Sequence, residues 1–210
     1  MSKRAVLIGT GMVSDTYADA LRNSATVSLA GVMARSEASA RAFLERNLVQ
    51  ARVFATADDI AADPAIDFAI LATPPDARVA FVQTLGAAGM PILMEKPVER
   101  TLEAAVALAT MAEASGIPVG VVLQHRARPS ARALGERFKA LGALRAVEIT
   151  VPWWRPQSYY DVPGRGTYAR DGGGVLLTQA IHTLDLALYL LGPVIRVQAM
   201  AHTTRLHQME

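Results

Sequence analysis

The amino-acid sequence predicts an α/β protein in which a doubly wound parallel sheet is followed by an incomplete α+β domain with an open sheet. Three observations support this fold class. In the first hundred or so residues, short apolar runs alternate with helical segments, as in a parallel sheet with crossover helices. A glycine-rich turn follows the first apolar run. The alternation stops after residue 123, so we place the domains at 1–123 and 124–210.

The predicted elements of the first domain follow in order. Six strands are expected, at Ala5–Ile8, Val27–Met33, Arg52–Phe54, Phe68–Ala72, Ile92–Met94 and Val119–Leu123. Four helices are expected between them, near Met12–Arg22, Glu37–Asn47, Asp76–Ala88 and Leu102–Ser115. Gly89 and Gly116 end two of these helices, because a proline that cannot continue a helix stands shortly after each glycine.

The second domain has a different pattern. A helix is expected around Ser130–Leu141 and a strand at Arg145–Val151. A loop rich in aromatic and turn residues runs from Pro152 to Gly174, and one long helix continues to Leu191. A last strand is expected near Val194–Ala201, which would complete only part of a sheet.

The composition excludes several classes of protein. With 51% hydrophobic and 19% charged residues, the chain is too apolar for intrinsic disorder. The net charge is only +2 and the basic residues are scattered, so no nucleic-acid partner is expected. The absence of cysteine excludes disulfides and thiolate chemistry and favours a cytoplasmic location. The apolar segment 174–191 contains Gln179, His182 and Asp185, which favours a buried helix over a membrane span.

The glycine-rich turn Gly9-Thr10-Gly11-Met12-Val13-Ser14 follows the first strand and opens the first helix. The first glycine permits a tight turn, the second lets the backbone approach a pyrophosphate, and the helix N-terminus offers N–H donors. We therefore predict that Gly9, Gly11, Met12 and Val13 bind a dinucleotide in a Rossmann domain. A glycine-rich turn without a ligand is the alternative.

The end of the second strand indicates which dinucleotide binds. NAD-dependent proteins carry an acidic residue there that binds the ribose 2′-hydroxyl. Here the strand ends Met33-Ala34-Arg35-Ser36. Because a guanidinium and a hydroxyl suit a 2′-phosphate, Arg35 and Ser36 predict a preference for NADP, with NAD as the alternative.

Two further strand ends are expected at the same edge of the sheet. The segment around Thr73 and Pro74 follows the fourth strand, and Glu95-Lys96-Pro97 follows the fifth. Ligands of open α/β sheets bind at this edge, so Thr73, Pro74, Glu95 and Lys96 are predicted to contact the cofactor. Proline at 97 favours an extended Lys96 and makes a cis bond possible. Lys96 beside a nicotinamide could stabilise a developing alkoxide, although a lone lysine is more often a surface residue.

The long apolar helix carries a polar stripe. At helical spacing, Thr178, His182, Asp185 and Tyr189 fall in one narrow arc. In one interpretation Asp185 and His182 form a satisfied core pair; in the other, Asp185 orients His182 as an acid or base. The four histidines lack the spacing of a zinc site, so no metal is expected.

Taken together, the glycine-rich turn, Glu95-Lys96-Pro97 and the Gly172–Gly174 triplet before His182 and Asp185 resemble the Gfo/Idh/MocA family of NAD(P)-dependent oxidoreductases. The resemblance covers essentially the whole chain and implies an N-terminal Rossmann domain and a C-terminal open-sheet domain. It implies hydride transfer to or from sugars, sugar nucleotides or cyclitols, with Lys96 as the catalytic lysine and His182 as acid or base. It also implies a homo-oligomer formed through the C-terminal sheet.

The resemblance also assigns a substrate region. Arg126 matches a region that usually lines the cleft, and a loop of aromatic and cationic residues looks like the family's substrate loop: Trp153, Trp154, Arg155, Tyr159 and Tyr160. A packed loop that covers the sheet is the alternative. Thr178 stands where the family often has an aspartate, so it is expected to bind a substrate hydroxyl without carrying charge. NAD-dependent glycoside hydrolysis and a non-catalytic dinucleotide-binding module are the rival functions.

Overall fold

The computed structural model describes residues 2–203 and 205–210, with the side chain of Lys139 excepted. The chain divides into two compact units, one that ends at Val122 and one that begins at Leu123.

The first unit is built on a six-stranded sheet whose spatial order is β3-β2-β1-β4-β5-β6. The strands, all paired in parallel, are β1 (Lys3–Ile8), β2 (Val27–Met33), β3 (Arg52–Val53), β4 (Phe68–Leu71), β5 (Ile92–Glu95) and β6 (Val119–Val122). This is the doubly wound order, and its direction reverses between β1 and β4. The crevice at the carboxyl ends of β1 and β4 is therefore where a dinucleotide is expected.

Five helices connect the strands: α1 (Ser14–Arg22), α2 (Glu37–Arg46), α3 (Ala57–Ala61), α4 (Arg78–Ala87) and α5 (Leu102–Ser115). A short 3₁₀ turn, Pro75–Ala77, precedes α4. The prediction missed α3, which is too short to show helical periodicity. The available signal in the sequence was a capping box, with Thr56 three residues before Asp59. In the structure the Thr56 side chain accepts from the Asp59 N–H, and the Asp59 side chain accepts from the Thr56 N–H.

The core of this unit lies on both faces of the sheet. Alternate residues of β1 point to opposite faces, so Val6 and Ile8 join one apolar cluster while Ala5 and Leu7 join the other. Coverage on both faces explains why the strands are continuous apolar runs rather than alternating ones.

The second unit is helical in the residues described. Its helices are α6 (Pro129–Phe138), α7 (Gln157–Tyr160), α8 (Tyr168–Asp171) and α9 (Ile181–Leu191), and a π-helical segment, Leu176–Ala180, precedes α9. The strands predicted at Arg145–Val151 and Val194–Ala201 are wrong, since neither segment pairs with a strand in the part of the chain that is described. A strand needs a neighbouring strand to bond with, and neither segment has one within the described ranges. In the second segment Ile195 is 99% exposed. The predicted open sheet is therefore absent from the described residues of this unit.

The helical stretch Tyr168–Leu191 is long and apolar enough to cross a membrane by length and composition alone. The core helix of a soluble protein passes the same test. The predicted burial is wrong for most of the stretch, because only 17% of its most apolar window is buried. Leu176, Leu184 and Leu188 are exposed, whereas Gln179 and His182 are buried.

Candidate active site

The glycine-rich turn lies at the carboxyl end of β1, as predicted. Gly9 has a φ of +102°, and a Cβ added to it would lie 2.8 Å from both the carbonyl carbon and the oxygen of Ala72. Glycine is therefore required by conformation and by packing. Ser14 is fully buried and donates to the carbonyl of Gly11 at 2.6 Å, so it fills the position of the usual third small residue.

The surface of this turn is open to a ligand. Among the described residues, the N–H groups of Gly11, Met12 and Val13 find no acceptor, and a Cβ on Gly11 would meet nothing within 4 Å. The nine-residue helix α1 begins directly after them and adds the positive end of its dipole. Unsatisfied donors at a helix N-terminus fit an anionic pyrophosphate, so the turn fits the dinucleotide.

The end of β2 presents a cation. Arg35 is exposed, and its guanidinium has no hydrogen bond or ion pair within the described ranges. Ser36 caps α2 by accepting from the Ser39 N–H at 3.2 Å. Arg41 is held by Glu37, with 2.8 Å between Nε and Oε1. Arg35, Ser36, Glu37 and Arg41 line a cleft of about 430 Å³. Glu37 pairs with Arg41 and not with Arg35, so the charge of Arg35 is not neutralised by contact with Glu37.

The carboxyl ends of β4 and β5 lie at the same edge of the sheet as the glycine-rich turn. The Lys96–Pro97 peptide is cis, the isomer that the sequence allowed. The Glu95 carboxylate accepts from the Tyr17 hydroxyl at 2.8 Å and from the Lys96 N–H at 3.2 Å. Burial, together with the charge of Glu95, raises the pKa of Tyr17, so its hydroxyl stays protonated and donates. The Thr73 hydroxyl oxygen is buried and has no hydrogen-bond partner among the described residues.

Two residues that contact these strand ends, Tyr17 and Arg78, were not predicted from the sequence. Tyr17 lies one turn after Ser14, a spacing that places it on the inner side of α1, and this was the available signal. Arg78 is the first residue of α4 and is only 1% exposed. An arginine at the start of a helix is typical of a surface, so nothing in its pattern predicted burial.

In the second unit, α9 holds the predicted acid–base pair beside a segment that follows β6. His182 is 5% exposed, and its ring lies 5.2 Å from that of His125, measured between centroids. Burial, and then the charge of Arg128, lower the pKa of His125. Asp185 accepts two hydrogen bonds from Arg126, and the distance from Nε of Arg126 to Oδ2 of Asp185 is 2.7 Å. The predicted role of Asp185 toward His182 stays a prediction, and its ion pair with Arg126 is an addition.

Arg126 makes a second contact, because its guanidinium carbon lies 4.9 Å from the centroid of the Tyr189 ring. Its pairing with Asp185 raises the pKa of Arg126. Thr178 lies in the π-helical segment, and its hydroxyl donates to the Gly174 carbonyl at 3.0 Å. Arg126 and Asp185 are thus in direct contact within this unit, and His182 lies one helical turn before Asp185 on α9.

The aromatic loop gathers around Arg155. The Arg155 guanidinium lies 4.7 Å from the Trp153 ring and 5.0 Å from the Tyr159 ring. Its Nε is buried without a hydrogen-bond partner in the described residues. Trp154 is 63% exposed, although it contacts His207 with ring centroids 4.6 Å apart. Trp154, Arg155 and Tyr159 are therefore neighbours, and the loop combines packed and exposed aromatic surface.

Metal ligands do not gather anywhere in the described part of the chain, where no group of three His, Cys, Asp or Glu could hold an ion.

Comparison with known proteins matches both units. A family model described as an oxidoreductase family with an NAD-binding Rossmann fold (GFO/IDH/MocA) matches residues 3–123, and the GFO/IDH/MocA C-terminal domain matches residues 131–210. The rhizopine catabolism protein MocA of Rhizobium meliloti is 28% identical over 191 residues, covering 90% of this chain and 57% of that protein. Myo-inositol dehydrogenase Hyg17 of Streptomyces leeuwenhoekii is 30% identical over 198 residues, covering 93% of this chain and 57% of that protein.

Solved structures agree with these matches. The WlbA dehydrogenase of Bordetella pertussis, in complex with NADH and UDP-GlcNAcA, superposes with a TM-score of 0.82 at 26% identity. The alignment covers 91% of this chain and 56% of that one. The chain spans a little over half the length of these two curated relatives and of this structure's chain.

Proposed function

Because the chain belongs to the GFO/IDH/MocA family of oxidoreductases, we propose that it transfers a hydride between a nicotinamide dinucleotide and the CH–OH carbon of a sugar, sugar nucleotide or cyclitol. The observation that carries this proposal is the open turn at the sheet's switch point, whose N–H donors at Gly11, Met12 and Val13 suit a pyrophosphate. The names of relatives support the substrate class, since they include an inositol 2-dehydrogenase and two D-apiose dehydrogenases.

The cofactor-binding residues are those whose backbone or side chain borders the turn and the strand ends. They are Gly9, Gly11, Met12, Val13, Thr73, Pro74, Glu95 and Lys96. Bound nicotinamide supplies the hydride donor or acceptor. Glu95 is held by Tyr17, so its carboxylate acts on the shape of the Lys96 turn rather than as a base.

The proton chemistry falls to Lys96 and His182. Lys96 polarises the substrate oxygen and stabilises negative charge that develops there. His182 takes or returns the hydroxyl proton, since an imidazole ring has nitrogen atoms that can donate or accept one. Asp185 acts on this site through Arg126, whose guanidinium it holds in a two-bond fork.

The substrate contacts are assigned to the second unit. Arg126, Thr178 and His182 supply polar groups, and Trp154, Arg155 and Tyr159 supply aromatic and cationic surface suited to a sugar. The exposed ring of Trp154 and the buried, unpartnered Nε of Arg155 in the described structure support this assignment.

The cofactor preference is assigned to Arg35. Its exposed guanidinium has no acidic contact in the described chain, and it borders the cleft at the end of β2, so it would pair with the 2′-phosphate of NADP. Ser36 can donate its hydroxyl hydrogen to the same phosphate while its oxygen caps α2.

Titration with NADPH and NADH, read by thermal unfolding, tests both binding and preference. Ligand at about 100 times its Kd stabilises a protein by about 2.7 kcal/mol. For a chain of this length that corresponds to a rise in Tm of about 5–10 °C. We expect NADPH to raise Tm more than NADH at equal concentration, and R35A to remove the difference. A larger shift with NADH would contradict the NADP preference, and no shift with either would contradict the proposed function.

A further inference from the structure

Among the residues that the structure describes, Arg78 is the largest fully buried side chain. Removing a guanidinium from water costs several kcal/mol unless other groups compensate it. Within the described residues Arg78 forms no ion pair, and all its hydrogen bonds go to backbone carbonyls. Burial lowers the pKa of Arg78 to about 10 against the opposing charges of Glu95 and Glu99, so it is cationic at neutral pH.

The carbonyls that Arg78 binds belong to two segments. Nε and Nη2 both donate to the Thr73 carbonyl, at 3.2 and 2.8 Å. Nη1 donates to the carbonyls of Glu95 and Pro97, the residues on either side of Lys96. One planar group therefore joins the end of β4 to both flanks of the lysine.

The Arg78 contacts begin where the pairing between β4 and β5 ends. The β4–β5 ladder ends with the pair Leu71 and Met94, so Thr73 and Lys96 lie beyond its last rung. Pro97 has no N–H to donate. On its N-terminal side Lys96 follows Glu95, which still pairs with Val122 of β6. The Arg78 fork and the bond from the Lys96 N–H to the Glu95 carboxylate add to that pairing in holding the Lys96 backbone.

We propose that Arg78 is a positioning residue that fixes Lys96, and with it the Thr73 segment, in the geometry that the reaction requires. The inference rests on the proposed function for the role of Lys96. Arginine suits this role because its five donors lie in one rigid plane, whereas a lysine offers one compact ammonium group on a flexible stem.

A double-mutant comparison separates positioning from a general structural role. In the full chain saturated with NADPH or NADP⁺, R78M is expected to lower kcat by about 30-fold or more. R78K, which keeps the charge, is expected to recover part of the loss. In a K96M background, R78M should change kcat by less than about 3-fold, because the group that Arg78 positions is already absent.

A matched control is available at Arg22. Arg22 also donates to a backbone carbonyl, that of Asn47, and pairs with Asp19 at 2.7 Å on the last turn of α1. R22M removes an arginine–carbonyl contact away from Lys96, so it is expected to leave kcat unchanged. Tm and NADPH affinity are measured for every variant, and R78K takes the place of R78M if R78M does not fold.

A measurement that does not depend on turnover tests the role of Arg78 even if the proposed function is wrong. The chain has three lysines, Lys3, Lys96 and Lys139, so ¹³C-dimethylated protein gives few resonances, and the K96M spectrum assigns that of Lys96. In the NADPH complex we expect R78M to shift the Lys96 resonance and leave that of Lys3 in place, whereas R22M moves neither. A wild-type chain that turns over no substrate would overturn the proposed function, and the spectra would still decide the role of Arg78. An unmoved Lys96 resonance, or an equal loss of kcat in both backgrounds, would overturn the positioning role.

Discussion

Replacing Gly9 and Gly11 of the turn by alanine, one at a time, should separate the stability of the fold from its affinity for NADPH. In Gly9→Ala, the new Cβ would lie 2.8 Å from the Ala72 carbonyl, closer than real Cβ contacts, on a backbone with φ of +102°. The left-handed conformation costs about 1–2 kcal/mol for a residue with a Cβ. Forcing extra volume into packed surroundings costs about 1–3 kcal/mol. The two costs add to about 2–5 kcal/mol, a fall in Tm of about 4–20 °C for a chain of this length.

Gly11→Ala has the opposite profile, because a Cβ there meets no heavy atom within 4 Å. Its Tm without ligand should stay within about 3 °C of wild type, since Gly→Ala exchanges at permissive positions are neutral or mildly stabilising. The added methyl group occupies the space above the unsatisfied N–H groups, so NADPH affinity should fall by about tenfold or more, a loss of about 1.4 kcal/mol.

The assay is thermal unfolding of both variants without cofactor, followed by NADPH titration of each at a temperature where it is folded. Wild-type Tm in Gly9→Ala would refute the packing argument for the turn. Wild-type NADPH affinity in Gly11→Ala would refute the argument that the dinucleotide approaches the backbone there.

Two further predictions concern pH and capping. Because burial lowers the pKa of His125 below its ordinary value, the folded state resists protonation, and the stability present above about pH 6.5 is lost as pH falls through the lowered pKa. H125Q should therefore lose less stability between about pH 7.5 and 5.5 than wild type in urea unfolding; an unchanged pH dependence would contradict this. T56A removes the capping box of α3 and should cost about 1 kcal/mol, or about 2–4 °C in Tm, whereas T56S keeps the bond to the Asp59 N–H. A melt of T56A equal to that of T56S would contradict the role of the cap.

The first unit was predictable because its signals are local. The bounds of β2 and α5 agree with the sequence prediction to the residue, since long apolar periodicity and the cap at Gly116 mark them. The turn at Gly9 and the strand-end position of Lys96 follow from the same pattern. By contrast, the five-residue α3 carries too few residues for a periodic signal.

The rest depends on distant partners. The apolar run containing Val147 and Ile149 has strand propensity, but a strand also requires a neighbour to pair with, and propensity does not supply one. Asp185 pairs with Arg126, which lies 59 residues earlier in the chain, so helical spacing alone favoured its near neighbour His182. The burial of Arg78 was not predicted for a similar reason, because two of the three carbonyls that it binds, those of Glu95 and Pro97, lie 17 and 19 residues away in the sequence.

The central claim is hydride transfer with Lys96 at the reacting oxygen. The most direct test follows NADPH fluorescence while the chain and NADP⁺ are offered a panel of sugars, sugar nucleotides and cyclitols, with K96M at matched cofactor saturation as the comparison. We predict that wild type forms NADPH with at least one of these alcohols. K96M should bind NADPH nearly as tightly but turn over slower by a factor on the order of 10² or more. Equal turnover by K96M would contradict the role of Lys96, and cofactor binding without NADPH formation, with or without release of free sugar, would contradict the dehydrogenase itself.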